Sequence, residues 1–319
     1  MNAVMENLQI RYIKLHFTLV IMEDGQLPRN KVSALRGGMG HALLMANCIR
    51  DENCETCDFS EDCLVQRMMY PKMKIRPDFM NTKDSEGFVI ECEDTREWFH
   101  AGEELSFNLL LFGRTIVYFH QYLQAFYYFG MQGIGRKHVR FQVSKVTNTV
   151  GETLVEGTSI YKERYTVMLV SDYVRHRLAS AEIQKIVDAD RCRLVFQSPL
   201  TLKYQGILQE HFLPEALIAA VERRIYILNC YEGNGECWSD DIGLTKEHLP
   251  AVLDERAWAE KVKRYSGTQN SKVAFSGIRG WCDLEGLDEA VLELLLAGEL
   301  LHIGKNTSFG FGKYTLVKG

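Results

Sequence analysis

The chain has 319 residues and a formal net charge of −5, with 46% hydrophobic and 25% charged residues. This length predicts more than one domain, and the composition is that of a globular protein rather than a disordered one. The net negative charge argues against general affinity for nucleic acid, and no apolar stretch approaches the ~20 residues that a membrane span needs. Glu6, Gln9 and Arg11 interrupt any apolar run at the N-terminus. Together with nine cysteines, this indicates a reduced, cytoplasmic protein without a disulfide framework or membrane partner.

The first predicted elements are a strand and a helix. Alternating apolar residues predict a strand from Leu8 to Met22. After a turn, apolar residues at spacings of three and four predict a helix from Asn30 to Asn47. The predicted buried stripe of this helix is Val32, Leu35, Met39, Leu43 and Ala46.

His41 lies on the opposite side of that helix, about 180° from the middle of the stripe at ~100° per residue. Gly37 and Gly38 precede it by four and three residues and leave bare backbone beside an outward-facing imidazole. Each interior helix glycine lowers helix stability by on the order of 1 kcal/mol relative to alanine, so a compensating role is expected. Two interpretations remain: an accessible functional histidine, or a helix packed closely against another backbone with His41 on the surface. Residue types alone favour the second.

Four cysteines follow this helix in the pattern Cys48-x5-Cys54-x2-Cys57-x5-Cys63. Four thiols in so short a stretch can hold one tetrahedral zinc ion or one iron–sulfur cluster. Such a site is expected to be structural, because four sulfurs fill the coordination sphere. The alternatives are reduced cysteines in an irregular loop and a redox C-x-x-C, which is disfavoured because no thioredoxin-like strand leads into it.

A glycine-rich basic loop ends the first half of the chain. Strands are predicted over 88–91 and 105–112, and an aromatic helix over 116–129, whose rings are expected in the core. A loop with Gly130, Gly133 and Gly135 then leads into a strand over 138–146. The stretch 130–145 has no acid and four cations: Arg136, Lys137, Arg140 and Lys145. Basic loops on an acidic body indicate a localised anion site.

The same order of helix, glycine loop and strand recurs at the C-terminus. A helix is predicted over 287–301 and a strand over 313–317. The loop between them carries Gly304, Gly310 and Gly312 with Lys305 and Lys313, and no acid. Glycine lets backbone N–H groups approach a phosphate because no Cβ blocks the way. The loop is not a Walker loop, since Asn306 replaces the Ser or Thr and a strand follows rather than a helix.

The recurrence predicts the domain organisation. The first half reads β, α, β, β, α, glycine loop, β. The second half begins with a strand over 191–196 and a helix over 214–228, and continues with less regular strands around 272–284. We therefore predict an α+β fold of tandem ferredoxin-like (βαββαβ) domains. The N-terminal domain spans 1–170 with the cysteine insert at 48–63, a helical connector spans 171–189, and the C-terminal domain spans 190–319 with the glycine-rich loop at 302–314.

Several passages make the chain resemble the CRISPR precursor-RNA processing endoribonucleases of the RAMP superfamily, in the subgroup with a four-cysteine insert after the first helix. The C-terminal loop is the most specific, and the likeness spans nearly the whole chain. The passages are 35–41 (LRGGMGH) with the cysteine insert, 129–136 (FGMQGIGR), 264–269 (RYSGTQ) with a turn at 277–280, and 302–314 (HIGKNTSFGFGKY).

The resemblance implies metal-independent cleavage of CRISPR repeat RNA to mature guide RNAs. The attacking group is the 2′-hydroxyl beside the scissile phosphate, and the products carry 2′,3′-cyclic phosphate and 5′-hydroxyl ends. Such chemistry needs a base, an acid and positive charge on the phosphorane. His41 matches the family's histidine on the first helix and is the expected general acid or base, with His16, His302 and Tyr70 in reserve. The residues expected to bind RNA are Arg36, Arg136, Lys137, Arg140, Gly304, Lys305, Asn306, Gly310, Gly312 and Lys313.

Two other functions remain open at this point. One is a RAMP subunit that holds guide RNA in a CRISPR effector complex without cutting it. The other is a metal-cluster or redox protein built around Cys48 to Cys63. The expected partners are CRISPR repeat or precursor guide RNA, and further CRISPR effector or adaptation proteins. No cofactor is expected for catalysis.

Overall fold

The computed structural model describes residues 3–54, 56–70, 73, 77, 87–232, 249–266 and 271–319. The chain divides into two compact units, an N-terminal unit of Tyr12–Val167 and a C-terminal unit of Met168–Gly319 with Met1–Arg11. Among these described residues, no helix is long and apolar enough to cross a membrane.

The N-terminal unit is a twisted antiparallel sheet with helices on one face. The bounds are β1 Arg11–Ile21, β2 Gly25–Gln26, α2 Lys31–Asn47, α3 Leu64–Met69, β3 Phe88–Glu91, β4 Trp98–Phe99, β5 Glu104–Phe112, α4 Phe119–Gln132, β6 Phe141–Thr147, β7 Thr153–Glu156 and β8 Ser159–Ile160, with 3-10 helices over Gly113–Tyr118 and Lys162–Arg164. Helix α1, Ala3–Asn7, groups with the C-terminal unit. The order of the strands in the main sheet is β3-β5-β1-β6-β7-β8. In chain order, the strands β3, β5, β1 and β6 are second, third, first and fourth of these four, which is the arrangement of a ferredoxin-like βαββαβ unit.

Alternation along β1 determines which face of this sheet is buried. The odd-numbered residues from Ile13 to Ile21 lie in the core with the buried residues of α2 and α4. The even-numbered residues Lys14, His16 and Thr18 lie on the other face and retain partial or full exposure. One face of the sheet therefore carries the helices, and polar side chains lie on the other.

The C-terminal unit repeats this topology. The bounds are β9 Met168–Leu169, α5 Val170–Leu178, α6 Ala181–Ala189, β10 Arg191–Leu200, β11 Lys203–Tyr204, β12 Ile207–Leu208, α7 Pro214–Glu232, β13 Ala251–Ser266, β14 Ser271–Glu285, α8 Glu289–Leu301 and β15 Tyr314–Lys318, with a 3-10 turn over Thr307–Phe309. The four-stranded sheet has the order β13-β14-β10-β15, which is again second, third, first and fourth in chain order, with antiparallel neighbours. The predicted α+β class with tandem ferredoxin-like domains is confirmed.

Two features differ from the sequence prediction. The less regular strands around 272–284 are a long hairpin, β13 paired with β14 from Ala251↔Glu285 to Ser266↔Ser271. Gly277 and Gly280 lie inside β14 rather than in a turn, and a Cβ there would lie 2.8 Å from the carbonyl oxygen of Leu200 and 1.7 Å from that of Arg256. These glycines permit close backbone approach within the sheet.

The segment 171–189, predicted as a connector, lies in two helices that group with the C-terminal unit. α5 is joined to α8 by an ion pair between Arg177 and Glu299, whose N–O distance is 3.0 Å. Ser180 caps α6 by accepting a hydrogen bond from the N–H of Ile183.

Candidate functional site

His41 is exposed on α2, on the side away from the core, as predicted. Asn30 caps the helix by accepting a hydrogen bond from the N–H of Ser33 at 3.3 Å. The predicted stripe is buried except at its last position, where Ala46 is exposed and the buried residue is instead Ala42. In the part of the chain that the structure describes, the His41 imidazole makes no hydrogen bond or ion pair.

The two glycines before His41 have different roles. A Cβ on Gly38 would lie 2.1 Å from the Phe129 ring of α4, so this glycine lets the two helices pack closely. A Cβ on Gly37 would meet nothing within 4 Å. Close packing is therefore found at Gly38, against an aromatic ring rather than the predicted backbone, whereas Gly37 leaves open space beside His41. We call this exposed surface of α2, which carries Gly37 and His41, the helix face.

The basic loop after α4 is a tight turn closed by a bridge between Ile134 and Val139. Arg136 and Lys137 at its tip are exposed. Neither side chain has a hydrogen bond or ion pair within the described ranges. Both can therefore contact a solvent-borne anion.

Arg140 is also exposed, but it is paired with Glu23. The Nε–Oε1 distance is 3.3 Å, and the Arg140 backbone N–H donates to the same carboxylate at 3.0 Å. The backbone N–H is the largest cause that lowers the pKa of the Glu23 carboxyl, followed by the guanidinium. Glu23 therefore offsets part of the Arg140 charge. Arg36, on α2, is half-buried.

Positive φ angles shape the C-terminal loop at Gly304 (79°), Asn306 (64°), Gly310 (76°) and Gly312 (74°). Glycine is required most strictly at 312, where a Cβ would lie 1.8 Å from the carbonyl oxygen of Ile303. The N–H of Gly310 donates to the carbonyl of Thr307, and that of Gly312 donates to the carbonyl of Pro199. These two glycines are buried, so the structure gives them the role of shaping the loop.

The accessible part of this loop lies around Lys305. Its side chain is exposed and has no ion pair among the described residues, while its N–H donates to the carbonyl of Thr201 at 2.9 Å. Gly304, Asn306 and Lys313 are half-buried, and the Lys313 N–H donates to the Ser198 hydroxyl. An anion can approach the Lys305 amine without breaking an existing contact.

The three reserve candidates differ in their exposure to solvent. His302 is fully buried, with Nδ1 at 3.0 Å from the carbonyl oxygen of Phe311, so it cannot meet a substrate. The reserve role for His302 is therefore corrected: it supports the loop from inside. Tyr70 is 36% exposed. His16 is exposed, and its Nδ1 lies 2.9 Å from Oδ1 of Asn108.

The four cysteines lie in irregular chain between α2 and α3, each free and half-buried. Burial raises the pKa of the Cys54 thiol, and the neighbouring Cys63, Cys48 and Cys57 thiols raise it further. No group of three His, Cys, Asp or Glu side chains within the described residues has metal-binding geometry. The donor set suits zinc or an iron–sulfur cluster, but the coordination geometry is not formed, so the site stays a prediction.

Sequence reasoning did not single out two polar residues. His138, in the turn with Arg136 and Lys137, is exposed, and its Nδ1 lies 3.3 Å from the carbonyl oxygen of Gln132. Its position in the acid-free stretch was the available signal. Asn108, which faces His16, could not be found from the sequence, because the register of β1 against β5 brings the two residues together.

Family models match both halves of the chain. Residues 8–171 match AF_1859_N, an N-terminal domain, and residues 194–314 match the CRISPR-associated endoribonuclease Cas6. The chain belongs to the family of the AF_1859_N domain, whose model covers just over half of it, and residues 194–314 carry a domain of the CRISPR-associated endoribonuclease Cas6. The expected relationship to CRISPR RNA-processing enzymes is confirmed, while membership of a four-cysteine subgroup stays a prediction.

Individual relatives are distant. An uncharacterized protein of Archaeoglobus fulgidus is 20% identical over 308 residues, covering 91% of this chain and 92% of the relative. The Cas6 (TTHB231) product complex, of Thermus thermophilus, has a TM-score of 0.51 at 12% identity, covering 97% of this chain and 100% of the other. A partial Cas6-RT-Cas1–Cas2 complex has a TM-score of 0.56 at 11% identity. This chain is covered to 97% but spans only 46% of that larger one. These two structural likenesses show the Cas6 fold.

Proposed function

We propose that this chain, which carries a Cas6 domain over residues 194–314, matures guide RNAs by cutting CRISPR repeat RNA without a metal ion. The 2′-hydroxyl attacks the adjacent phosphate, and the cut leaves 2′,3′-cyclic phosphate and 5′-hydroxyl ends. The observation that carries the proposal is His41, an exposed histidine on the helix face, with open space at Gly37 one turn away. A surface histidine with free access can meet a scissile phosphate, whereas the buried His302 cannot.

His41 acts in this proposal as general base for the 2′-hydroxyl or as general acid for the leaving 5′-oxygen. Imidazole suits either role because its ordinary pKa of about 6.5 lies near working pH. A well-placed general acid or base contributes roughly 10²–10⁴ in rate. The attacking oxygen forms the new bond to phosphorus as the bond to the 5′-oxygen breaks, and the proton lost by one oxygen balances the proton gained by the other.

Cations from the two basic loops bind the RNA backbone in this proposal. Lys305 and Lys313 supply positive charge from the C-terminal loop, and Arg136 and Lys137 supply it from the N-terminal loop. Lys305, Arg136 and Lys137 are exposed, with side chains that carry no internal ion pair in the described structure. Arg140, Arg36, Gly304 and Asn306 have weaker support, because Arg140 is paired and the other three are half-buried.

The four-cysteine segment is proposed to hold a structural zinc ion or iron–sulfur cluster. Its place directly after α2 would let a bound ion fix the end of the helix that carries His41. No step of the cleavage involves this ion.

Partner proteins are proposed from a structural relative. A matched structure is described as a partial Cas6-RT-Cas1–Cas2 complex, and this chain covers 46% of the matched chain. We propose that this chain binds adaptation proteins of the same kind, in addition to precursor RNA.

The test is incubation of purified protein with labelled repeat RNA in EDTA, beside the same RNA with a 2′-deoxy residue at the cut position. One discrete cut is expected in the RNA and none in the deoxy substrate. The 3′ end of the upstream product should resist end-labelling until the cyclic phosphate is removed. Tight binding without a cut would instead support the RNA-holding subunit. A cut only in the presence of added metal would overturn the proposed mechanism.

A further inference from the structure

A second histidine of the N-terminal unit is held in one orientation by a chain of hydrogen bonds. His16 lies on β1, opposite Asn108 of β5, which in turn lies opposite Glu91 of β3. The Nδ2 of Asn108 donates to Oε2 of Glu91 at 2.9 Å, and the Nζ of Lys14 lies 2.9 Å from the same oxygen. Only 4% of the Glu91 side chain is exposed. A buried carboxylate paired with an ammonium group accepts hydrogen bonds and donates none.

The direction of these hydrogen bonds determines which nitrogen of the His16 imidazole carries the hydrogen. Because the Asn108 NH₂ group faces Glu91, its Oδ1 faces His16 at 2.9 Å. An amide oxygen only accepts, so Nδ1 of His16 must carry the hydrogen. The neutral ring then presents Nε2 as an acceptor, and the ring is exposed on the face of the sheet opposite the helices.

The neighbours of His16 on this face include an unpaired amine and two hydroxyl side chains. On β6, Thr147 lies opposite His16 and Lys145 lies opposite Thr18. His16 and Lys145 are diagonal neighbours, for which Cβ atoms lie about 7–8 Å apart in an antiparallel sheet. The Lys145 side chain is half-buried and has no ion pair within the described residues, although Glu156 lies opposite it on β7. We call His16, Thr18, Lys145 and Thr147 the sheet-face cluster.

We propose that the sheet-face cluster binds one ribose-phosphate unit of single-stranded RNA, with Nε2 of His16 accepting a hydrogen bond from a ribose 2′-hydroxyl and Lys145 contacting an adjacent phosphate. A fixed acceptor beside a free cation matches a sugar that donates and a phosphate that is negative. The 2′-hydroxyl is the group that separates RNA from DNA. The cluster therefore selects RNA at a position that takes no part in the cut. This inference rests on the proposed function for its ligand.

The test compares RNA and DNA binding. Unstructured repeat RNA and DNA of the same sequence are titrated onto protein carrying His41→Ala, to limit cutting, and the RNA is checked on a gel afterwards. Adding His16→Ala is expected to lower RNA affinity about tenfold, the effect of a hydrogen bond worth ~1.4 kcal/mol, and to change DNA affinity less than about twofold. Lys145→Met is expected to weaken both and to reduce the salt slope by about 0.7.

Matched controls are His176→Ala and Lys185→Met, an exposed histidine and an exposed lysine of the C-terminal unit. Both should bind as the parent does. If His16→Ala does not fold, 2′-O-methyl RNA on the parent protein replaces it, because the methyl group removes the donor. That RNA should also bind about tenfold more weakly than unmodified RNA.

The inference is overturned if His16→Ala binds RNA as tightly as the parent, or if it loses RNA and DNA affinity equally. Its failure is distinct from failure of the proposed cleavage. A wild-type protein that never cuts, but whose RNA preference depends on His16, would refute the cleavage and keep the sheet-face cluster. Normal cutting by the wild type, together with unchanged RNA binding by His16→Ala, would refute the sheet-face cluster and keep the cleavage.

Discussion

The helix face and the sheet-face cluster of the N-terminal unit each present an exposed histidine, in opposite circumstances. His41 has no hydrogen-bond partner among the described residues, and open space lies beside it. His16 is held through Asn108 by the buried Glu91. A group that transfers protons must exchange partners during the reaction, whereas a group that recognises a ligand gains from a fixed direction. The two proposals therefore place chemistry on the helix face and recognition on the sheet face.

The largest expected effect concerns the segment that follows the helix face. Replacing Cys48, Cys54, Cys57 and Cys63 together by serine should remove bound zinc or iron and reduce soluble yield, since structural zinc contributes on the order of 10 kcal/mol to folding in small zinc domains. Elemental analysis of protein purified without added metal measures this. Equal metal content in the variant and the parent would exclude the site. If the soluble fraction of the four-serine variant still prefers RNA to DNA, binding at the sheet-face cluster does not depend on the cysteine segment.

A smaller effect separates the two glycines of the helix face. Gly38→Ala should destabilise the protein by about 2 kcal/mol, because its Cβ would overlap the Phe129 ring. Gly37→Ala should stabilise it by up to about 1 kcal/mol, because the site is open and alanine favours helix. Denaturant unfolding of both variants gives the two free energies. Shifts of the same sign would mean that the two positions do not differ in packing.

The smallest effect distinguishes free from paired cations in the loop after α4. Lys137→Met should weaken RNA binding about fivefold and reduce the salt slope by about 0.7, because one phosphate contact is lost. Arg140→Met should weaken RNA binding less and change the salt slope less, since Glu23 already neutralises part of the charge of Arg140. Binding measured across a salt series compares them. A larger loss for Arg140→Met would show that RNA displaces Glu23, and the assignment of the loop would change.

The sequence predicted most of the fold because helix and strand periodicity repeats in both halves. The strand Phe88–Glu91 has the predicted bounds, and the outward orientation of His41 followed from counting around a helix. Strand β13 and its pairing with β14 were missed, although strands were predicted around 272–284, because half-exposed strands with many charged residues lack clear alternation.

Contacts distant in sequence could not be predicted. His16 and Asn108 are 92 residues apart, and only the register of β1 against β5 brings them together. The burial of His302 was equally hidden, because it depends on how the C-terminal loop folds over it. The family resemblance located the loop but did not indicate which of its groups remain accessible.

The most direct test of the central claim is the single-turnover cleavage rate in EDTA at saturating protein. It is measured for the wild type, His41→Ala and the surface control His176→Ala. The account predicts that His41→Ala cuts at the same position roughly 10²–10⁴ times more slowly with little change in affinity, while His176→Ala cuts at the wild-type rate. A His41→Ala protein that cuts as fast as the wild type would contradict the assignment of chemistry to the helix face.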